Sequence, residues 1–218
     1  MFIIEAGELR KSFGPLEVLK GISLCVAPGE IVAVTGASGA GKTTLLEILG
    51  TLSTPDSGTL RIGGQNVLAL PEKQKAVFRC KKIGFVFQAH HLLPEFTAEE
   101  NVMIPSLIAG ESPSKARARA RALLAAVGLE ARRTHKPAEL SGGESQRTAI
   151  ARAIVNTPDV VFADEPTGNL DSVTKEEIHR LIFELRERSG QTFVIVTHDP
   201  ALAARCDRSI TLVDGTVL

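Results

Sequence analysis

The chain has 218 residues, with 25 Lys plus Arg balanced by 25 Asp plus Glu, 44% hydrophobic and 23% charged residues. That length and hydrophobic share suffice for a sizeable core, and zero net charge argues against a nucleic-acid reader, whose binding face is basic. No apolar stretch approaches the roughly 20 residues needed to span a bilayer, and the apolar start Met1-Phe2-Ile3-Ile4 stops at Glu5, so membrane segments are expected from partners.

Strand-like runs open the chain at Ile3 to Arg10, Val18 to Val26 and Ile31 to Thr35. The third leads into Gly36-Ala37-Ser38-Gly39-Ala40-Gly41-Lys42-Thr43 and a helix-like stretch from Thr44 to Leu49, the strand, loop and helix setting of a phosphate loop. Glycines at 36, 39 and 41 let successive N–H groups face one concave space, to which the helix adds its positive N-terminal end. Lys42 would place a charge on the β- and γ-phosphates, and Thr43 would offer its hydroxyl to Mg²⁺.

Thr59 to Ile62 reads as a strand, and so does Ile83 to Phe87, which ends on Gln88. Beyond it, apolar Leu92, Leu93, Phe96, Val102 and Ile104 are broken by Pro94 and Pro105, which forbids one uninterrupted helix. Such a segment suits a docking face for a short helix of a membrane subunit, or a loop tucked over the protein's own core.

From about Thr97 to Asn156 the pattern is helical, an inserted lobe in which Ser112-Pro113-Ser114 opens one helix and Gly128 closes it. Lys115, Arg117, Arg119 and Arg121 alternate with alanine and spread around the axis, which favours a solvated helix over an anion patch. Ser141 is a good N-cap before Gly142, Gly143 and a helix continuing over Ala149 to Val155. It is either a capping box with Glu144 or a second anion site whose N–H groups no side chain obstructs. One nucleotide fully occupies only one of two such glycine-rich sites, which points to a protein that works as a pair.

The strand Val160 to Ala163 ends in Asp164-Glu165-Pro166, with Asp164 placed to hold a Mg²⁺ shell. Pro166 is expected to hold Glu165 extended and stop the ladder, projecting its carboxylate toward a water aligned on the γ-phosphate. Asp171 caps a helix from Ser172 to Arg188, Thr192 to Val196 is a strand leading to His198, and Pro200 to Ala204 and Ile210 to Val213 close the pattern. Alternating strands and helices predict a mostly parallel sheet, and ligands bind outside the carboxyl ends of such strands. Gln88 would there ligate Mg²⁺ or orient water, and His198 would donate to the γ-phosphate. Cys25, Cys80 and Cys206 have no paired spacing, so reduced thiols are expected and a zinc site is not.

The phosphate loop, Gln88, Leu140-Ser141-Gly142-Gly143-Glu144, Asp164-Glu165 and His198, in that order, resemble the ABC-type ATPases over essentially the whole chain. The resemblance implies one ABC ATPase domain of α/β class: a phosphate-loop NTPase core (about 1–96 and 157–218) with a mostly parallel sheet, an N-terminal antiparallel β part and an α-helical lobe (about 97–156). It implies a head-to-tail homodimer around two ATP, each held by the phosphate loop of one subunit and by Ser141, Gly142 and Gly143 of the other. Phe13 would stack on adenine, where the family more often has Tyr. Val18 and Thr44 would also touch ATP, and Gly168-Asn169-Leu170-Asp171 would cross the dimer seam. Ser145 stands where the family commonly has Arg.

Gln88-Ala89-His90-His91-Leu92-Leu93-Pro94-Glu95-Phe96-Thr97 and Ala163 to Asp171 are similar to the lipoprotein-releasing branch of that family. That likeness implies two permease subunits of the LolC/LolE kind and a peripheral place on the cytoplasmic face of a bacterial inner membrane. Macrolide-export and cell-division (FtsE-like) ATPases, which transmit force or signal without lipoprotein cargo, share much of the pattern and form the alternative. A binding module that scarcely hydrolyses ATP is disfavoured by Glu165 and His198.

Overall fold

A computed structural model describes residues 2–218; Met1, the first residue of the apolar start, lies outside the described residues. Strands β1 (Ile4–Phe13), β2 (Leu16–Val26), β4 (Ser57–Ile62) and β5 (Gln65–Asn66) form an antiparallel sheet in the order β2-β1-β4-β5. A second sheet runs β10-β9-β3-β8-β7-β6, built from β3 (Ile31–Gly36), β6 (Ile83–Phe87), β7 (Val160–Asp164), β8 (Thr192–Val196), β9 (Arg208–Val213) and β10 (Thr216–Val217). Its pairings are parallel except for the β9–β10 edge.

Period-two alternation divides the central strands between two cores. Val160, Phe162, Val194 and Val196 face the antiparallel sheet, where Ile4, Leu9, Ile22 and Leu60 and the apolar face of α1 (Lys42–Leu49) complete one buried cluster. Val161, Ala163, Phe193 and Ile195 face the other way, onto α5 (Gly142–Ile154), α6 (Ser172–Ser189) and α7 (Pro200–Arg205). With both faces covered, these strands read as continuous apolar runs, and their carboxyl ends emerge along one edge of the sheet.

A third cluster joins α3 (Ala98–Ile108), α4 (Pro113–Ala126) and α5, with Ala116, Ala120 and Leu124 at helical spacing on the inner face of α4. Of the basic residues on α4, Arg117 and Arg121 both reach Glu99 on α3, at 3.1 and 2.8 Å. The helix α2 (Glu72–Lys82) precedes β6; among the described residues no helix is long and apolar enough to cross a membrane.

One expectation is corrected here. Pro94 does fall in a loop, but Pro105 lies inside α3 and does not end it. The helix is secured before the proline by a Thr97–Glu100 capping box, and the Pro105 carbonyl accepts from Ala109 N and Asn156 Nδ2, each at 3.0 Å. These bonds hold the last turn although proline supplies no donor. The loop before α3 is organised by fully buried Asn101, whose amide nitrogen donates to the carbonyls of Leu93, Phe96 and Thr97. Leu93 and Phe96 themselves remain exposed.

Candidate active site

The phosphate loop joins β3 to α1. Gly36 has φ +141, and a Cβ there would meet the Leu212 carbonyl oxygen at 2.3 Å, so only glycine passes this close to β9. Gly41 caps α1 with φ +98, a left-handed start that leaves the first amides of the helix facing the concavity. Ala40 is buried within the first core cluster and anchors the loop, whereas Ala37, Ser38 and Gly39 are exposed. The Lys42 ammonium donates to the carbonyls of Gly36 and Ala37, at 2.9 and 2.8 Å.

This loop floors an open cavity of about 430 Å³. Ser38, Gly39 and the run Gly41 to Thr44 line its base, Asp164, Glu165 and Val196 one side, and Phe13, Leu16 and Val18 the other. Phe13 and Leu16 pair across the Gly14-Pro15 turn of the β1–β2 hairpin and are 53% and 65% exposed, a wall of two apolar side chains facing solvent. Leu16 was not anticipated from sequence; its signal is its place opposite Phe13 in the hairpin register.

Thr43 and Asp164 come together as the strand ends predict, with Thr43 Oγ1 donating to Asp164 Oδ2 at 3.4 Å. Burial pushes the Asp164 carboxyl above the usual carboxylate range, neighbouring Glu165 adds to that, and the Thr43 hydroxyl opposes it. A hydroxyl and a carboxylate are hard oxygen donors, few in number, which suits Mg²⁺ completed by phosphate oxygens and water. A group whose folded pKa is raised favours folding only in its neutral form, and that contribution is lost as pH rises through the folded value. Above the folded value the ionised Asp164 therefore costs stability. Asp164→Asn is expected to raise Tm of the nucleotide-free protein at pH 7.5 by about 2 °C or more while abolishing hydrolysis, read by calorimetry and phosphate release.

Glu165 departs from expectation. It is not extended: φ is +46, the left-handed region. Its N–H still donates to Val196 O at 2.9 Å, continuing the β7–β8 ladder, and its carbonyl accepts from Gly168 N at 3.0 Å. Meeting both demands at one residue turns the chain left-handed just ahead of Pro166, overriding the preference of a pre-proline residue for extended backbone. The carboxylate then lies 2.7 Å, Oε2 to Nδ1, from His198, whose side chain is 67% exposed. His198 itself lines a neighbouring cavity rather than the phosphate cavity, so the Glu165–His198 pair bridges the two.

Gln88 is turned toward the loop after β7, where Nε2 donates to Asn169 Oδ1 at 2.9 Å; it does not line the phosphate cavity. The segment after it is strapped to α5. Arg152 donates to the carbonyls of His90 and His91, both at 2.6 Å, and both histidines have left-handed backbones. Arg152 carries no motif of its own, and sequence reasoning did not select it.

Ser141, Gly142 and Gly143 lie outside the cavity floored by the phosphate loop of the same chain. Ser141 and Glu144 form the capping box: Ser141 Oγ accepts from Glu144 N at 3.1 Å, and Glu144 Oε2 accepts from Ser141 N at 2.8 Å. Ser141 and Gly142 are nevertheless exposed. Gly143 is buried against α6, where an added Cβ would meet Thr174 Cγ2 at 2.4 Å. Thr174 cannot swing away freely, because its hydroxyl donates to Asp171 Oδ2 at 2.6 Å. Asp171 also caps α6 through the amides of Val173 and Thr174, and the Thr174 hydroxyl holds its carboxyl below the usual range.

Gly143 is thus a packing requirement between α5 and α6. Gly143→Ala is expected to lower stability by about 1–3 kcal/mol, and adding Thr174→Ser, which removes the offending methyl, to restore at least half of the loss in urea denaturation.

Residues 19–168 match the family model described as ABC transporter. The chain is 59% identical to the lipoprotein-releasing system ATP-binding protein LolD of Bacteroides fragilis, over 96% of this chain and 97% of that one. It is 54% identical to the protein of the same name in Geobacter metallireducens, over 99% and 98%. Among solved structures it is similar to a dimeric ATP-binding cassette in a post-hydrolysis state bound to ADP and Pi. The TM-score is 0.89 with 40% identity, covering 98% of this chain and 96% of that one.

Proposed function

Since this chain belongs to the ABC transporter family, we propose that it is the ATP-hydrolysing subunit of a lipoprotein-releasing transporter, closing around ATP as a homodimer to drive membrane-embedded partners. The observation that carries this is the split site: a phosphate cavity walled by Phe13 and Leu16, with the exposed Ser141-Gly142 helix start outside it on the same chain. A second copy arranged head to tail supplies the missing side. Relatives named for lipoprotein release, more than half identical over nearly the full chain, favour that cargo over macrolide export or a cell-division role.

In this reading Phe13, Leu16 and Val18 take the adenine. The loop amides from Gly36 through Thr44 and the Lys42 ammonium take the phosphates. Thr43, Asp164 and Gln88 would hold Mg²⁺, which when bound neutralises charge on the β- and γ-oxygens. Gln88 must leave Asn169 to do so. Glu165 accepts a proton from the water that attacks the γ-phosphorus, the bond to the β-phosphate oxygen breaks, and ADP and phosphate leave. His198 orients Glu165 through the 2.7 Å contact and donates toward the γ-phosphate, while Ser141, Gly142 and Gly143 of the second copy and Asp171 at the seam complete the cage. Exposed Leu93 and Phe96, on the loop fixed by Asn101, belong to the face presented to permeases of the LolC/LolE kind at the cytoplasmic side of the inner membrane.

The test is release of a lipoprotein from vesicles carrying the transporter assembled with this subunit. ATP hydrolysis accompanied by proportionate release supports the reading; hydrolysis with no release overturns the cargo assignment.

A further inference from the structure

Glu165 holds a left-handed backbone that a non-glycine residue keeps only when its surroundings impose it. The imposing element is the four-residue turn Glu165–Gly168, closed by the Gly168 N–H to Glu165 carbonyl bond at 3.0 Å. Its two central residues, Pro166 and Thr167, are buried. Beneath them lies His179 of α6, 3% exposed, with Nε2 at 3.3 Å from Thr167 Oγ1. The other ring nitrogen, Nδ1, is 3.7 Å from Glu176 Oε2, and Glu176 is held in turn by Arg205 of α7 at 2.7 Å. That short helix is capped by Asp199, the residue after His198, through the amides of Ala201 and Leu202.

One imidazole therefore touches the turn that follows Glu165 and faces, through Glu176 and Arg205, the helix that follows His198. No motif singles out His179, and the hydrolytic reading does not use it. Filling an apolar space would not require an imidazole, whose burial between helices is costly unless its nitrogens are used. Burial keeps the ring below its usual pKa, with Asp199 and Glu176 opposing that shift and Arg205 adding to it.

We propose that His179 is a positioning residue for ATP hydrolysis: its hydrogen bond to Thr167 pins the Glu165–Gly168 turn from beneath and so keeps the Glu165 carboxylate on His198. The inference rests on Glu165 and His198 acting as proposed above. It also gives α6, which Asp171 caps near the proposed dimer seam, a hold on the general base through Thr167.

The experiment compares steady-state phosphate release by the purified full chain with four substitutions. His179→Phe keeps a ring and removes the bond; Thr167→Val removes it from the other side; His179→Gln places an amide nitrogen near the position of Nε2; Glu165→Gln reports on the base itself. Loss of one buried hydrogen bond that orients a reacting group is expected to lower kcat about five- to tenfold with KM for ATP unchanged. His179→Phe and Thr167→Val are both expected to show this loss, their combination no more than either alone, and His179→Gln at least half of wild-type kcat.

Wild-type kcat in Thr167→Val, or losses that multiply in the double variant, overturns the inference while Glu165→Gln remains inactive. Retained turnover in Glu165→Gln instead overturns the hydrolytic reading on which it rests. Should His179→Phe fail to fold, Thr167→Val alone decides the matter.

Discussion

Replacing Glu165 with Gln is expected to cut ATP turnover by at least about a hundredfold, the usual scale for loss of a general base, while nucleotide binding persists. The two halves of this expectation come from different parts of the site. In the proposed reading binding rests on the phosphate loop and the hairpin wall of Phe13 and Leu16, whereas the Glu165 carboxylate is held by His198. Turnover depends on a carboxylate held at the strand exit with one oxygen 2.7 Å from His198 Nδ1. Glutamine has nearly the same shape, leaves the backbone bonds to Val196 and Gly168 in place, and cannot accept the proton. Phosphate release at saturating ATP, with nucleotide affinity measured on the same preparation, separates the two; near-normal turnover would remove Glu165 from the role.

Lys42→Ala is expected to weaken nucleotide binding itself by about ten- to a hundredfold, the range for losing charged hydrogen bonds to a phosphate. In the structure the ammonium already spans the loop, donating to the carbonyls of Gly36 and Ala37. Removing it therefore takes away both a cation for the phosphates and a brace of the loop. These effects part company in measurement. A fluorescent-nucleotide titration reads the first, and the melting temperature without nucleotide reads the second. Loop curvature is set mainly by Gly36 and Gly41 and by buried Ala40, so melting is expected to change by less than about 3 °C. Unaltered affinity would exclude Lys42 from phosphate binding.

Much of the fold was legible because the four central strands of the parallel sheet, β3, β6, β7 and β8, are buried on both faces. Ile83 to Phe87 and Thr192 to Val196 match β6 and β8 residue for residue, since continuous apolar runs bounded by turns have few other readings. Helix α2 was missed for the opposite reason: only Lys75 and Phe78 along it are buried, so its sequence is mostly charge without an apolar stripe. The two-residue strands β5 and β10 are too short to leave a periodic signal.

At the site, the glycine-rich loop pattern singled out Lys42 and Thr43, and residue types at strand ends singled out Asp164, Glu165 and His198, because strand ends converge in a parallel topology. What composition and spacing did not carry was conformation and mutual contact. Proline after Glu165 argued for extended backbone, and the ladder bond to Val196 combined with an immediate turn prevailed. Gly143 read as an opening for a ligand, yet its closest constraint is the Thr174 methyl, a contact between two helices far apart in sequence. Arg152 and His179 bond to carbonyls and a hydroxyl in loops they are not adjacent to, which no local pattern encodes.

The proposed pocket split between two copies is the feature on which the role of Ser141-Gly142-Gly143 and the drive to membrane partners both rest. Light scattering of Glu165→Gln with saturating ATP and Mg²⁺ tests it most directly. The account predicts a species of twice the 23.2 kDa chain mass that reverts when nucleotide is removed; a particle that stays at the single-chain mass under those conditions, with its membrane partners also present, would contradict it.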